Sequence, residues 1–290
     1  MVKMIERTRG VRVEINNSHL GFFAHLNWLV LALGFSAKSG IPVQFSCTSR
    51  QYVSPERGTN FLDYFFVDLK LRELSIPVDE TWIRISQIQE LIAPEDYPKR
   101  TFEMANSWFF GRFALQRWVV EANDHFFAGR SPDRKLIGVH YRGTDKSSEA
   151  PQTPYQRMLA AIDHELTSWP DADVFLATDE EGFLAVCHKR YGRRLSFLQD
   201  HARSSDGKAI HKDRELDGFQ IGRDALLNSL ALSRCDKVIK TPSTMSGWAK
   251  IMTPCLPVFL MDRPYDACSW FPDRDLPSYQ PPDKDLRNVW

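Results

Sequence analysis

"KLIGVHYRGTDK" spans Lys135 to Lys146, and two kinds of sequence meet inside it. Lys135 to Tyr141 is a short apolar run of the kind that fills a buried strand. The residues after it include Arg142, Gly143, Asp145 and Lys146. A plain surface turn needs a glycine and an aspartate, but not this density of charge. A strand that opens at once into a charged loop is the opening of an α/β repeat, in which polar groups collect beyond the carboxyl ends of the strands.

The same alternation continues outward in both directions. Downstream, the pattern predicts a helix over Pro154–Trp169, a strand over Ala172–Asp179, a helix over Glu180–Gly192 and a short strand in "RLSFL". A polar loop follows (Gln199–Gly218), then a helix over Gly222–Cys235, a strand in "DKVIKT", a helix over Ser243–Met252 and a last strand in Cys255–Met261. Upstream, Val11–Ile15 alternates like a strand, a long apolar helix closes at Gly40, and Ile41–Cys47 reads as a second strand. Thr48 to about Pro98 lacks a clear period, whereas Thr101–Phe127 is helical in pattern and broken at Gly111. The fold class is therefore α/β, with two Rossmann-like domains. Residues 1–130 form an N-terminal domain and 131–262 a C-terminal one. Residues 263–290, rich in proline and charge, form an irregular tail packed by its aromatics.

Composition narrows the function classes. Lys+Arg and Asp+Glu both number 37, so no global field points to nucleic acid or to a membrane surface. No apolar stretch is long enough to span a bilayer, and Met1–Gly10 has no apolar signal core. Five cysteines without a C-x-x-C pair fit a reduced, cytoplasmic protein.

The polar residues fall at strand ends: His140 to Lys146, then Thr178 and Asp179, then Thr241 to Thr244. Arg142 offers a planar fork suited to a diphosphate. "TPSTMSG" (Thr241–Gly247) presents two hydroxyls and backbone N–H groups at a helix start, an anion site; ordinary capping accounts for one hydroxyl but not for both. Asp224 either complements a helix dipole or accepts from a donor-rich base such as guanine, and Asp179 is equally ambiguous. "DAD" (Asp171–Asp173) precedes its strand and reads as a turn, not as a metal-binding D-x-D.

"IGVHYRGTDK", "FLATD" and "LLNSLALSRCDKVIKTPSTMSGWAKI", in that order, resemble the donor-binding half of GDP-fucose-dependent fucosyltransferases. The similarity is to the α-1,6-, nodulation and protein O-fucosyltransferase group, and it covers roughly Leu136 to Leu260. It implies a GT-B-like fold of two Rossmann-like domains facing each other across a cleft, and inversion at the anomeric carbon without a metal or other cofactor. Carried over, Arg142 is the arginine on the β-phosphate, and Gly143 stands where a second arginine is common. Lys146 matches the lysine of the "TDK" run, and Glu149 an acidic residue after it, once one residue is deleted. Asp224 resembles the guanine-binding aspartate, and Ser243 and Thr244 the hydroxyl pair near the phosphates. His140 shapes the nucleotide pocket and Asp179 joins the donor residues. In the N-terminal half only "HLGFFAHLNW" matches, which brings in Gly21 and Phe23 as donor-facing residues.

The expected reaction moves fucose from GDP-fucose to a hydroxyl of a glycan acceptor, with Glu149 as base, Lys146 orienting it and Arg142 neutralising the leaving diphosphate. Two other readings stand beside it: a glycosyltransferase for another nucleotide sugar, and a non-catalytic nucleotide- or sugar-binding protein.

Overall fold

The computed structural model describes residues 10–70, 82–85, 100–143, 149–205, 217–265 and 271–280. These fall into two units, one within Met1–Ala122 and Arg214–Ala225, the other within Asn123–Asp213 and Leu226–Trp290.

In the first unit β1 (Gly10–Ile15) leads into α1 (Phe22–Ser39) and β2 (Val43–Cys47). Val11, Val13 and Ile15 alternate into the core. Helix α1 is apolar around most of its circumference and is buried accordingly through Phe22, Leu26, Leu29 and Val30. It stops at Gly40, whose φ of 71° suits glycine and whose N–H donates to the Ser36 carbonyl. The short elements α2 (Leu62–Phe65) and β3 (Phe66–Asp68) follow, then β4 (Trp82–Ile85), which completes a parallel sheet in the order β2-β1-β4. The helical pattern over 101–127 is realised in two pieces, α3 (Phe102–Phe110) and α4 (Arg117–Phe127), separated at Gly111 by β5 (Phe113–Leu115). β5 pairs antiparallel with β3. There Arg112 grips Asp68 through two bonds of 2.6 and 2.7 Å. The aromatic run that obscured any period is a cluster: Phe22, Tyr52, Phe61 and Phe65 meet with centroids 5.2 to 5.9 Å apart.

The second unit holds β6 (Leu136–Tyr141), α5 (Tyr155–Ser168), β7 (Asp173–Thr178), α6 (Glu181–Tyr191) and β8 (Leu195–Ser196). It then takes α7 (Gly218–Ser233), whose first turns belong to the other unit, β9 (Lys237–Lys240), α8 (Thr244–Met252) and β10 (Val258–Leu260). All five strands are parallel, in the order β10-β9-β6-β7-β8. Every residue of β6 is buried, which is why its sequence is a continuous apolar run and not an alternating one. A Cβ on Gly138 would stand 2.9 Å from Cys235 Sγ, so glycine there allows the turn after α7 to close on the sheet.

Two features differ from the sequence pattern. Helix α7 begins at Gly218, ahead of the expected Gly222, because Phe219 stacks on Phe65 at 5.5 Å and Arg57 lies 3.7 Å over the same ring. Residues 206–216 of the long polar loop lie outside the described residues, but 199–205 are held: Arg203 donates to the carbonyls of Leu198 and His201. Residues 271–280 dock on β10, where Leu260 N–H donates to Pro277 and Tyr279 N–H to Leu260. The α/β class is thus the class observed, with parallel strands at the heart of each unit. Among the described residues no helix is long and apolar enough to cross a membrane.

Candidate functional site

Strand order in the second unit reverses at β6: the chain goes to β7 and β8 on one side, then returns to β9 and β10 on the other. The carboxyl ends of β6 and β9 therefore form the switch point, where an open parallel sheet accepts a ligand. Arg142 stands there. Its backbone N–H donates to Thr241 Oγ1 at 2.9 Å, which ties the end of β6 to the end of β9. Its guanidinium Nε lies 3.8 Å from Asp179 Oδ2, beyond hydrogen-bond distance, with both side chains about one-fifth exposed (20% and 21%).

His140 is buried one residue before the end of β6, with Nδ1 2.8 Å from Ser246 Oγ. Burial, reinforced by the nearby charges of Lys240 and Arg142, pushes its pKa well below the usual imidazole range. It is therefore held in the neutral form at physiological pH, with the Ser246 hydroxyl as its partner. Ser243 is the N-cap residue of α8, but its hydroxyl makes no capping bond. Its backbone N–H donates to Asp273 Oδ2 at 2.7 Å, so one N–H assigned to an anion is already taken by a carboxylate. Thr244, the first helical residue, is half-buried beside it.

The segment after β7 adds residues the sequence did not single out. Glu180 accepts a hydrogen bond from the Tyr155 hydroxyl, and its own N–H donates to Thr178 Oγ1 at 3.2 Å. A Cβ on Gly143 would stand 1.9 Å from Glu180 Oε1. Glu180 thus fills the space beside Gly143. Burial raises the Glu180 pKa and the charge of Asp179 raises it further, against the Tyr155 hydrogen bond, which lowers it. The only sequence signal for this was the acidic doublet Glu180–Glu181 after "FLATD", which also serves as the start of α6.

A carboxyl whose pKa is raised by folding is costlier to ionise in the native state, so it lowers stability above its folded pKa and not below its unfolded one. Glu180→Gln keeps an acceptor for Tyr155. It is expected to raise the melting temperature at pH 7, with the gain shrinking as pH falls through the carboxylate range. Melting curves across pH check this, and a gain that persists at low pH would refute it.

The remaining candidates fall elsewhere. Lys146, with Asp145, lies outside the described residues. Glu149 is partly buried at the far end of that loop, and its carbonyl accepts the Tyr265 N–H at 2.9 Å. Asp224 belongs to the first unit, beyond the first turn of α7, and its Oδ1 takes Arg223 Nε at 2.9 Å. The helix-dipole reading of Asp224 fails because α7 starts earlier than its pattern suggested. Gly21 is the N-cap of α1 in the first unit, with φ −65° and nothing within 4 Å of a built Cβ, so neither conformation nor packing demands glycine. Phe23 is buried in the core of that unit. Of "DAD", Asp171 lies in the turn before β7, whereas Asp173 opens the strand itself and pairs with Arg134 at 2.8 Å.

No protein-family model and no curated protein matches the chain. Solved structures do. NodZ α-1,6-fucosyltransferase soaked with GDP-fucose aligns with a TM-score of 0.58 and 17% identity, covering 85% of this chain and 93% of that one. Fucosyltransferase NodZ from Bradyrhizobium gives 0.58 and 17%, over 86% and 94%. A point variant of Arabidopsis thaliana FUT1 in complex with GDP gives 0.51 and 11%, over 90% and 73%. The likeness is one of fold, and it falls on the same enzymes that the sequence segments resemble.

Proposed function

We propose that this protein is an inverting, metal-independent glycosyltransferase that transfers fucose from GDP-fucose to a hydroxyl of a glycan acceptor. The observation that carries the reading is Arg142 at the β6/β9 switch point, tied to Thr241, in a chain that shares its fold with NodZ. In the reaction the acceptor oxygen bonds to the anomeric carbon while the bond from that carbon to the β-phosphate oxygen breaks. The electron pair leaves on GDP, and the acceptor proton passes to a base. One displacement inverts the centre. Arg142 and the Ser243–Thr244 turn would meet the charge developing on the diphosphate, neutral His140 would line the nucleotide pocket, and Glu149 would take the proton with Lys146 beside it. Asp179 and Asp224 remain candidates for donor hydroxyls and guanine, and Gly21 for the phosphates.

A reducing, cytoplasmic setting belongs to the same proposal; the described cysteines Cys47, Cys187, Cys235 and Cys255 are free thiols. The test is a thermal-shift panel of GDP, UDP, CMP and ADP, each with and without EDTA. GDP at a hundred times its Kd should stabilise the native state by about 2.7 kcal/mol, a rise of several degrees. UDP should do less, and EDTA should change nothing. Preference for UDP would favour a glycosyltransferase of different donor. GDP binding without sugar transfer to any acceptor would favour a binding protein.

A further inference from the structure

Lys240 ends β9 with no exposed surface, and a lysine is seldom so buried unless it is paired. Its Nζ lies 2.6 Å from Asp273 Oδ1, and Asp273 is equally buried. The other oxygen, Oδ2, accepts the backbone N–H of Ser243 at 2.7 Å. Asp273 comes from the segment beyond the last strand, and that segment is seated directly on α8. A Cβ on Gly247 would meet Pro272 Cγ at 2.3 Å and Asp273 Oδ1 at 2.8 Å. The end of β9, the Ser243 turn and residues 272–273 thus form one buried polar unit beside Arg142.

We propose that Lys240 and Asp273 are positioning residues for the donor diphosphate; this rests on the nucleotide reading above. Asp273 fixes the Ser243–Thr244 turn by holding its N–H. A bare carboxylate there would repel the phosphates that the turn receives. Lys240 cancels that charge, so the turn is held by an ion without presenting one. A pair that served only to fasten the C-terminal segment would have no such sign.

The sign is what the experiment reads. GDP and guanosine are titrated calorimetrically into the full chain and into Lys240→Met, Asp273→Asn and the double variant. Lys240→Met leaves Asp273 uncompensated and should weaken GDP about tenfold, while guanosine, which carries no phosphate, is unaffected. Asp273→Asn keeps an acceptor for Ser243 and removes the negative charge, so GDP should bind at least as tightly as to wild type. The double variant should recover wild-type affinity to within about threefold, because removing both members of a buried pair leaves no stranded charge. Equal losses in both single variants, or loss of guanosine along with GDP, would overturn the inference. Should Lys240→Met fail to fold, Asp273→Asn and the double variant decide it, and weakened GDP binding in either refutes it. A wild-type chain that binds neither ligand overturns the nucleotide reading itself, a result distinct from any of these.

Discussion

Arg142→Ala is expected to lower kcat/KM for GDP-fucose by ~10²–10³-fold, the range for loss of one preorganised group that meets developing charge. The expectation follows from where the residue is held. Its N–H is fixed to Thr241 Oγ1, so the backbone at the end of β6 is set by β9, and the side chain starts from a defined point. Asp179 Oδ2 lies 3.8 Å from its Nε and is partly exposed, a contact of the kind that contributes little. A diphosphate would offer the fork two oxygens in its own plane, a far better partner. GDP affinity should fall together with activity, since the phosphates are bound in ground state and transition state alike. Arg142→Lys separates charge from geometry: it keeps the charge, loses the fork, and should recover only part of the loss. An Arg142→Ala protein that binds GDP as wild type does would remove this residue from the donor site.

The second unit was legible in the sequence because its strands are buried on both sides. β6, β7 and β9 are apolar runs ended by polar groups, and that signal is local. Arg142 and Ser243 were legible for the same reason, since position after a strand is itself a local property. What the sequence hid depends on partners far along the chain. Nothing near Lys240 announces Asp273, 33 residues away, and a lysine at a strand end reads as a solvated terminus. Glu180 looked like the first turn of a helix, and its role beside Gly143 appears only when β6 and β7 pair. The start of α7 was hidden because Phe219 is drawn into helix by Phe65, a contact that no periodicity records. The cluster of Phe22, Tyr52, Phe61 and Phe65 likewise blurs the pattern because aromatic residues at irregular spacing pack edge to face.

The base decides whether the site can do chemistry as well as bind. Three carboxylates compete for that role among the described residues near this loop: Glu149 at its far end, and Asp179 and Glu180 at the end of β7. A base in an in-line displacement must stand on the acceptor side of the anomeric carbon, opposite the departing phosphate. Asp179 and Glu180 lie beside Arg142 and Gly143, on the side where the phosphate ligand would be. Glu180 is moreover engaged by Tyr155. Glu149 is carried instead by the far end of the loop, where its carbonyl accepts the Tyr265 N–H beyond β10. Glu149→Gln should therefore cost ~10²–10⁴-fold in kcat, the range for a lost general base, with GDP affinity unchanged. Glu180→Gln should leave kcat within a few-fold of wild type. Single-turnover transfer from GDP-fucose, paired with GDP titration, measures both. Near-normal turnover in Glu149→Gln would exclude it as the base and direct the same substitution to Asp145. A large loss in Glu180→Gln would place the base at the end of β7.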